Sequence, residues 1–178
     1  RGWINRNNVT INGNLKLFTI PLIKSSQNKK IKDIEVNWNS KEMNKLLKTF
    51  RLNLKNKPKA MKIVESIFQY KPKNISDTSI LSIKLFCKEL GIKTKFEKSS
   101  EIKYIKSKDR LLNLVQICKS KNISNYINAE GGQKLYTKED FNINGINLKF
   151  LKGTQTPSIL DIIDSPNIQK ALLDYETI

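Results

Sequence analysis

Two adjacent residues, Asn12-Gly13, constrain this chain more than any others. Asn-Gly accepts positive φ at both central positions of a two-residue reversal, and here it stands between two alternating runs. Val9 and Ile11 alternate with polar residues before it, and Leu15 and Leu17 alternate after it. The spacing predicts an antiparallel hairpin. Its return strand is expected to run on through Phe18-Thr19-Ile20 to Pro21-Leu22-Ile23, and a short strand is expected over Ile31 to Val36 after a polar loop, Ser25 to Lys30.

Helical spacing follows. Ser40 is placed to cap a helix carrying Met43, Leu46, Leu47, Phe50 and Leu54 on one face. Pro58 can open the next, with Ala60, Met61, Val64, Ile67 and Phe68 inward. Ser76 is read as the cap of a third, whose apolar set (Ile80, Leu81, Ile83, Leu85, Phe86, Cys87, Leu90) is broad enough for deep burial, and Gly91 ends it. The remainder alternates. A strand is expected over Ile92 to Phe96, then a helix capped by Ser107 with Leu111, Leu114, Val115 and Cys118 on one face. Tyr126-Ile127-Asn128-Ala129 reads as a strand, Thr137 and Asp140 as a capping pattern, and Ile146, Leu148 and Phe150 as a further strand. Beyond a turn region at Gly153 to Pro157 come Ser158 to Ile163. A final helix follows, capped by Ser165 and opened by Pro166, with Ile168, Ala171 and Leu172 inward. Strands separated by helices predict an α/β fold: a mainly parallel central sheet flanked by helices, with the antiparallel hairpin attached. At 178 residues the chain fits a single domain with a proper core.

The charge has two readings. Thirty-three Lys and Arg stand against 16 Asp and Glu, a formal net charge of +17. Such a field attracts nucleic acid, acidic lipid or phosphorylated small molecules. The Lys residues are nevertheless spread over nearly every segment, together with abundant Asn and Ile, as compositional bias produces. For nucleic acid, Lys24–Lys32 and Lys55–Lys62 are the stretches to consider, and neither carries the interleaved aromatics of a single-strand platform. Two cysteines, Cys87 and Cys118, make no disulfide framework, and both sit in apolar helical patterns that suit buried thiols. The sequence contains no histidine, so it offers no His-dependent triad and no His metal site. No apolar run reaches the roughly 18 residues of a membrane span, and no signal peptide opens the chain. A reducing, cytoplasmic compartment is expected.

Two constellations could carry chemistry. Trp3-Ile4-Asn5-Arg6-Asn7 packs an indole, a guanidinium and two amides into five residues. Arg6 can clamp a phosphate or carboxylate, Trp3 can stack on a ring, and Asn5 and Asn7 supply donors and acceptors. The same cluster could equally plug the core edge and tie down loops. Glu130-Gly131-Gly132-Gln133 follows a strand, where open α/β sheets place ligands, and paired glycines let backbone approach a ligand closely. A tight strand-to-helix turn would use the same residues. Tyr126, Asn128, Glu130 and Lys134 flank it as possible substrate contacts. The acid–base candidates are Glu130, Asp161 and Asp164, of which Asp161 sits where a cap or ion-pair partner is also expected. No Gly-x-Gly-x-x-Gly or Walker pattern is present, so neither a dinucleotide nor a P-loop assignment stands. No metal site and no cofactor are assigned.

These blocks, in their order, resemble the WbqC-like family of bacterial surface-polysaccharide loci. The matching stretches begin with Trp3 to Asn7 and Phe18-Thr19-Ile20-Pro21-Leu22, then Arg110-Leu111-Leu112 and Ile117-Cys118-Lys119. They continue with Tyr126 to Tyr136, Phe141, Gly145 to Leu151, and Ser158-Ile159-Leu160-Asp161. The likeness implies a cytoplasmic transferase of glycan biosynthesis that adds glycine or another acyl group to a nucleotide-linked or lipid-linked amino sugar. On that reading Arg6 binds a phosphate, Trp3 stacks on a ring, and Asn5 and Asn7 hold polar substrate atoms. Gly131 and Gly132 shape a facing wall, and Glu130 and Asp161 are the catalytic carboxylates. The alternative is a non-catalytic protein that binds a sugar nucleotide or RNA. The resemblance also implies a strand with a His-Gln-Pro motif ahead of Trp3, whose His would be the first choice of general base. This sequence opens at Arg1 without that strand–helix segment or an initiator Met, so residues 1–178 are expected to be one α/β domain of a longer protein. The Gly153–Pro157 region is shorter than the corresponding loop of the family.

Overall fold

The computed structural model describes residues 4–26, 28–152, 158–168 and 177. They form two compact units, Arg1–Thr94 with Thr156–Ala171, and Lys95–Gln155 with Leu172–Ile178.

In the first unit the hairpin forms as expected. Strands β1 (Arg6–Ile11) and β2 (Asn14–Thr19) pair antiparallel from Ile11↔Asn14 to Arg6↔Thr19, across Asn12 at φ 50° and Gly13 at φ 74°. Both turn residues take positive φ, so the reversal follows the right-handed twist of its strands. The return strand does not run on in one piece. Pro21 has no N–H to donate, and beyond it β3 (Leu22–Ile23) pairs antiparallel with a new partner, β4 (Glu35–Val36). The strand expected from Ile31 shrinks accordingly, because Asp33 N–H bonds Lys30 O at 2.9 Å and winds Ile31–Asp33 into a 3₁₀ turn.

Three helices follow. In α1 (Lys41–Asn53) the Ser40 hydroxyl accepts from Met43 N–H at 3.0 Å, and α2 (Pro58–Tyr70) opens on Pro58. The third, α3 (Ile75–Glu89), begins two residues before the position that a Ser76 cap implies. Asn74 is the cap: its Oδ1 accepts from Asp77 N–H at 2.8 Å while its Nδ2 donates to the Asp77 carboxylate at 2.8 Å. This reciprocal pairing is one that Ser76 cannot make. Gly91, at φ 71°, ends α3, and Ile92 N–H reaches back to Cys87 O at 2.8 Å. The broad apolar face of α3 is not deeply buried. Ile75 and Thr78 are, whereas the residues from Ile80 to Leu90 are half-buried or exposed. One core of the unit gathers Val9, Phe50, Leu54, Ile63, Val64, Leu160 and Ile163, and another gathers Ile34, Val36, Met43 and Ile75.

Two carboxylates tie the C-terminal part of this unit to the rest. Helix α6 (Ile159–Ile162) is capped by Ser158 and carries Asp161, whose side chain is 6% exposed. Thr10 sits in β1 at a position whose N–H points away from β2, and Asp161 accepts that N–H with both oxygens at 3.1 Å. Asp161 also accepts from the Thr10 hydroxyl at 3.1 Å and pairs with Lys57 Nζ at 3.3 Å. Just past α6, Asp164 accepts from the N–H groups of Lys59 and Ala60 at 2.9 and 3.0 Å. Those donors belong to the first turn of α2, which has no side-chain cap of its own at Lys57. A carboxylate there satisfies donors that the helix leaves unpaired and meets the positive end of its dipole. The final helix expected after Ser165, including Ala171 and Leu172, lies outside the described residues beyond the buried Ile168, as does the Gly153–Pro157 turn.

In the second unit α4 (Arg110–Ser120) buries Val115 and Cys118 as expected. Its cap is Asp109 instead of Ser107: the carboxylate accepts from Leu111 N–H at 2.8 Å, and the Ser107 hydroxyl accepts from Asp109 N–H. Strands β5 (Asn125–Ala129) and β6 (Asn147–Leu151) pair parallel, from Asn125↔Asn147 to Ala129↔Leu151. Between them run a 3₁₀ helix, Glu130–Lys134, and α5 (Lys138–Asn142), which starts on the expected Thr137–Asp140 capping box. Phe141, Ile146, Leu148 and Phe150 complete the core with α4.

The fold is therefore mixed α/β, but a mainly parallel central sheet does not assemble among the described residues. The strands form three two-stranded ladders, of which β5–β6 alone is parallel. Parallel pairing needs a long crossover, and in these ladders only the connection from Glu130 to Ile146 supplies one. The strand expected over Ile92–Phe96 pairs with nothing in these ladders, since the Ile92 N–H is already committed to closing α3. Among the described residues, no helix is long and apolar enough to cross a membrane.

Removing the Asp161 carboxylate strands the outward N–H of β1 and a partly buried Lys57. We expect Asp161→Ala to lower the unfolding free energy by about 1–3 kcal/mol. Asp164→Ala, which uncaps α2, should cost about 1 kcal/mol. Urea unfolding measures both, and a neutral Asp161→Ala would refute the tie.

Candidate functional site

Within the first unit a cleft of about 440 Å³ opens between the start of the hairpin, the three helices and Ser158–Leu160. Its floor is core: Met43, Phe50, Ile63 and Val64 are all buried. Aromatic rings line it in two edge-to-face pairs, Phe18 with Phe50 at 5.2 Å and Trp38 with Phe68 at 5.6 Å. The polar lining comes from Asn5, Arg6 and Asn7 on the hairpin, Thr78, Ser79 and Ser82 on α3, and Ser158. Arg6 is the sole ionisable side chain among the described lining residues.

The hairpin entrance is held by its own amides. Asn5 Nδ2 donates to Ile20 O at 3.0 Å, and Ile20 N–H returns to Asn5 O at 2.7 Å, adding one rung beyond the ladder. The Asn7 Oδ1 accepts from Asn8 N–H at 2.8 Å, satisfying another donor on the outer edge of β1. Each amide thus commits one end to the backbone. Of the block singled out in the sequence, Asn5, Arg6 and Asn7 meet at the cleft, while Trp3 lies outside the described residues.

A different tryptophan reaches the cleft. Trp38 donates its indole N–H to Pro72 O at 2.8 Å, so its offer to a ligand is ring carbon. Sequence reasoning missed Trp38, Ser79, Ser82 and Phe86. The signal was present in α3, where Thr78, Ser79 and Ser82 interrupt an otherwise apolar face at three- and four-residue spacing. That interruption marks a face turned to a cavity.

Asp161 is not among the described residues that line this cleft; its carboxylate is occupied by Thr10 and Lys57. That geometry assigns it the task of a structural tie.

The double-glycine turn belongs to the second unit and starts its 3₁₀ helix at the carboxyl end of β5. The two glycines differ. A Cβ on Gly132 would lie 2.6 Å from Asn128 Nδ2, 2.9 Å from its Cγ and 3.3 Å from Phe150 Cε1, so packing alone demands glycine there. Asn128 is held in place by its own Oδ1, which accepts from Ala129 N–H at 2.8 Å. At Gly131 a Cβ would meet nothing within 4 Å, and no positive φ requires glycine. Glu130, Gly131 and Lys134 are exposed. Tyr126 is half-buried and stacks on Phe141 at 5.4 Å between ring centroids. Burial raises its phenol pKa, with smaller contributions from Cys118 and Tyr136. Burial likewise raises the Cys118 thiol, in keeping with the core role read from its helical phase. Among the described residues, no group of three His, Cys, Asp or Glu side chains could hold a metal.

Fold and cleft define a mixed α/β protein with an aromatic-lined cavity and, among the described lining residues, a single cation at its polar rim. The chain belongs to the WbqC-like protein family, whose model matches residues 1–159. That span takes in the Asn5–Asn7 rim, α3 and the double-glycine turn. No curated protein and no solved structure matches the chain.

Gly132→Ala should push Asn128 aside and destabilise the protein by about 1–3 kcal/mol, while Gly131→Ala should be close to neutral. Replacing Asn128 with Ala in the Gly132→Ala background should recover part of the loss by chemical denaturation. The raised Cys118 and Tyr126 values also set a pH trend. Both groups are neutral when protonated, and their folded values lie above their unfolded ones. Their stabilising contribution is complete below the ordinary thiol value of about 8.5 and declines as pH rises through the folded values. Thermal melts across the alkaline range should show the decline, and Cys118→Ala should flatten it.

Proposed function

We propose that this protein is a glycan-biosynthesis transferase that adds glycine or another acyl group to a nucleotide- or lipid-linked amino sugar. In this reading the first-unit cleft is its substrate site. One observation carries it: Asn5, Arg6 and Asn7, the most distinctive block of the family resemblance, form the polar rim of the 440 Å³ cleft. That volume lies within the roughly 300–1,000 Å³ of pockets that take small organic ligands.

The chemistry is amide formation. The free amine of the sugar attacks the carbonyl carbon of an activated acyl donor, the bond to the donor's leaving group breaks, and the amine gives up a proton. Arg6 holds the phosphate of the carrier, a task suited to a planar guanidinium. The Trp38 ring takes the stacking role first sought in Trp3. Glu130, one of the two carboxylates considered, belongs to the second unit at the carboxyl end of β5, so the amine proton is assigned to solvent. Asp161 is left to its structural tie.

The test supplies the full-length protein with a glycyl donor and, separately, a nucleotide-linked and a polyprenyl-linked amino sugar. Mass spectrometry should find one acceptor gaining a glycyl amide. Arg6→Ala should lower kcat/KM by about tenfold or more, the worth of a charge-assisted hydrogen bond. A second reading, non-catalytic recognition of a sugar nucleotide, is favoured by the cleft lining itself, in which Arg6 is the sole ionisable group described. Calorimetric binding of the nucleotide sugar with no product from any donor would decide for it, and steeply salt-dependent RNA binding without sugar affinity would sink both.

A further inference from the structure

In the second unit, residues 97–107 contain no helix or strand, yet they are fastened to α4 at both of its ends. Glu97 pairs at 2.7 Å with Lys121, the residue that closes α4, and at 3.0 Å with Lys95. At the other end Asn113, in the first turn of α4, accepts from Ser107 N–H and donates to Ser107 O, both at 2.8 Å. The chain between these ties is held in place, and its middle buries little. Ile105 is 80% exposed, and Lys103, Lys106, Lys108 and Arg110 on either side of it in sequence are exposed as well.

None of the described ion pairs takes up any of these four cations. The nearby acids are already engaged: Asp109 caps α4, and Glu101 pairs with Lys98 at 3.8 Å. An exposed isoleucine by itself is ordinary on a protein surface. Ile143 is as exposed, but it stands four residues after the exposed Glu139, and the exposed Ile31 stands two residues before the exposed Asp33. Ile105 differs in its company, which is cationic on both sides. Nucleic acid would use the cations and give nothing for the isoleucine, since single strands are gripped by aromatic rings. An anionic bilayer rewards both. Lysine stems lie along its interface with their ammonium groups among lipid phosphates, and an aliphatic side chain enters the acyl boundary.

We propose that residues 103–110 are a docking surface for an anionic bilayer, with Ile105 in the acyl boundary and Lys103, Lys106, Lys108 and Arg110 at lipid phosphates. The attachment is reversible, because four cations and one apolar side chain give far less than a spanning helix. It stands apart from the transferase reading, which concerns the first unit.

The experiment sediments the full-length protein with vesicles of phosphatidylcholine alone and of phosphatidylcholine and phosphatidylglycerol in equal parts, at physiological salt. Binding is expected to the anionic vesicles and not to the neutral ones. Each cation near such a surface is worth about fivefold, so combining Lys103→Gln, Lys106→Gln and Lys108→Gln should weaken binding by about a hundredfold. Combining Lys29→Gln, Lys30→Gln and Lys32→Gln removes the same charge from another exposed basic stretch and should cost no more than about fivefold. That comparison separates a docking surface from the pull of a net charge of +17. Ile105→Ser should weaken binding by about tenfold. Ile105→Trp should strengthen it, and the added emission, read as the difference from the parent protein, should shift to the blue on anionic vesicles. All the substituted positions are exposed, so these variants leave the core intact. No binding to anionic vesicles, equal losses in the two triple variants, or binding untouched by Ile105→Ser would each overturn the proposal. So would an Ile105→Trp emission that stays at its aqueous wavelength. Tighter binding to polyuridylate, abolished by the Lys103, Lys106 and Lys108 changes and indifferent to Ile105→Ser, would give the surface to nucleic acid instead. Vesicle binding with no acyl transfer would remove the transferase reading and leave this inference standing, and transfer without vesicle binding would do the reverse.

Discussion

Two side chains three residues apart, Asp161 and Asp164, anchor a helix of four residues to the structure on which the cleft depends. One takes the outward N–H of β1 and the other takes the first-turn donors of α2. Backbone donors left without partners away from water are costly, and each belongs to an element whose own ladder or helix cannot satisfy it. The carboxylates meet that need from more than ninety residues away in sequence. Ser158, Ile159 and Leu160, immediately before the tie, are thereby held in the cleft wall. Asp161, offered by the sequence as a cap, an ion-pair partner or an acid–base group, makes its described contacts with Thr10 and Lys57.

The cleft follows from an incomplete core. α3 carries an apolar face too broad for its single row of buried positions, Ile75 and Thr78, so its remaining apolar residues are only half covered. A face of that kind is stable in water only when something lies against it or when it lines a cavity. The Ser79 hydroxyl has Ile75 O at 2.9 Å and Ile4 O at 3.4 Å as acceptors, and the Ser82 hydroxyl donates to Ser79 O at 2.8 Å. The described lining is mostly apolar, with Asn5, Arg6 and Asn7 at its rim.

In the second unit packing accounts for one glycine of the double-glycine turn. The two glycines of the 130s are adjacent in sequence and opposite in meaning. Gly132 is glycine because Asn128 and Phe150 occupy the space of a side chain, whereas nothing in the described structure asks for glycine at 131. The parallel β5–β6 pair that presents this turn is kept in register by burying Tyr126, Leu148 and Phe150 on one face against α4 and α5.

Local rules carried far in this sequence. Asn12-Gly13 determined the hairpin, because positive φ at two successive residues is tolerated by few pairs. Ser40, Pro58, Gly91 and the Thr137–Asp140 box determined element ends, because their effects reach no further than one helical turn. Asn5, Arg6 and Asn7 were legible as a candidate rim from residue chemistry and block order. Tertiary structure decided the rest, where partners are distant or where a competing local bond wins. It chose Asn74 over Ser76 and Asp109 over Ser107, both by hydrogen bonds that depend on the surrounding backbone path. It turned the chain at Pro21 to a new strand partner, and it made Trp38 part of the cleft. It also set Asp161 on Thr10, a contact across 151 positions that no periodicity records. Sequence spacing reports which face a residue occupies, and only packing determines whether that face meets core, cavity or solvent.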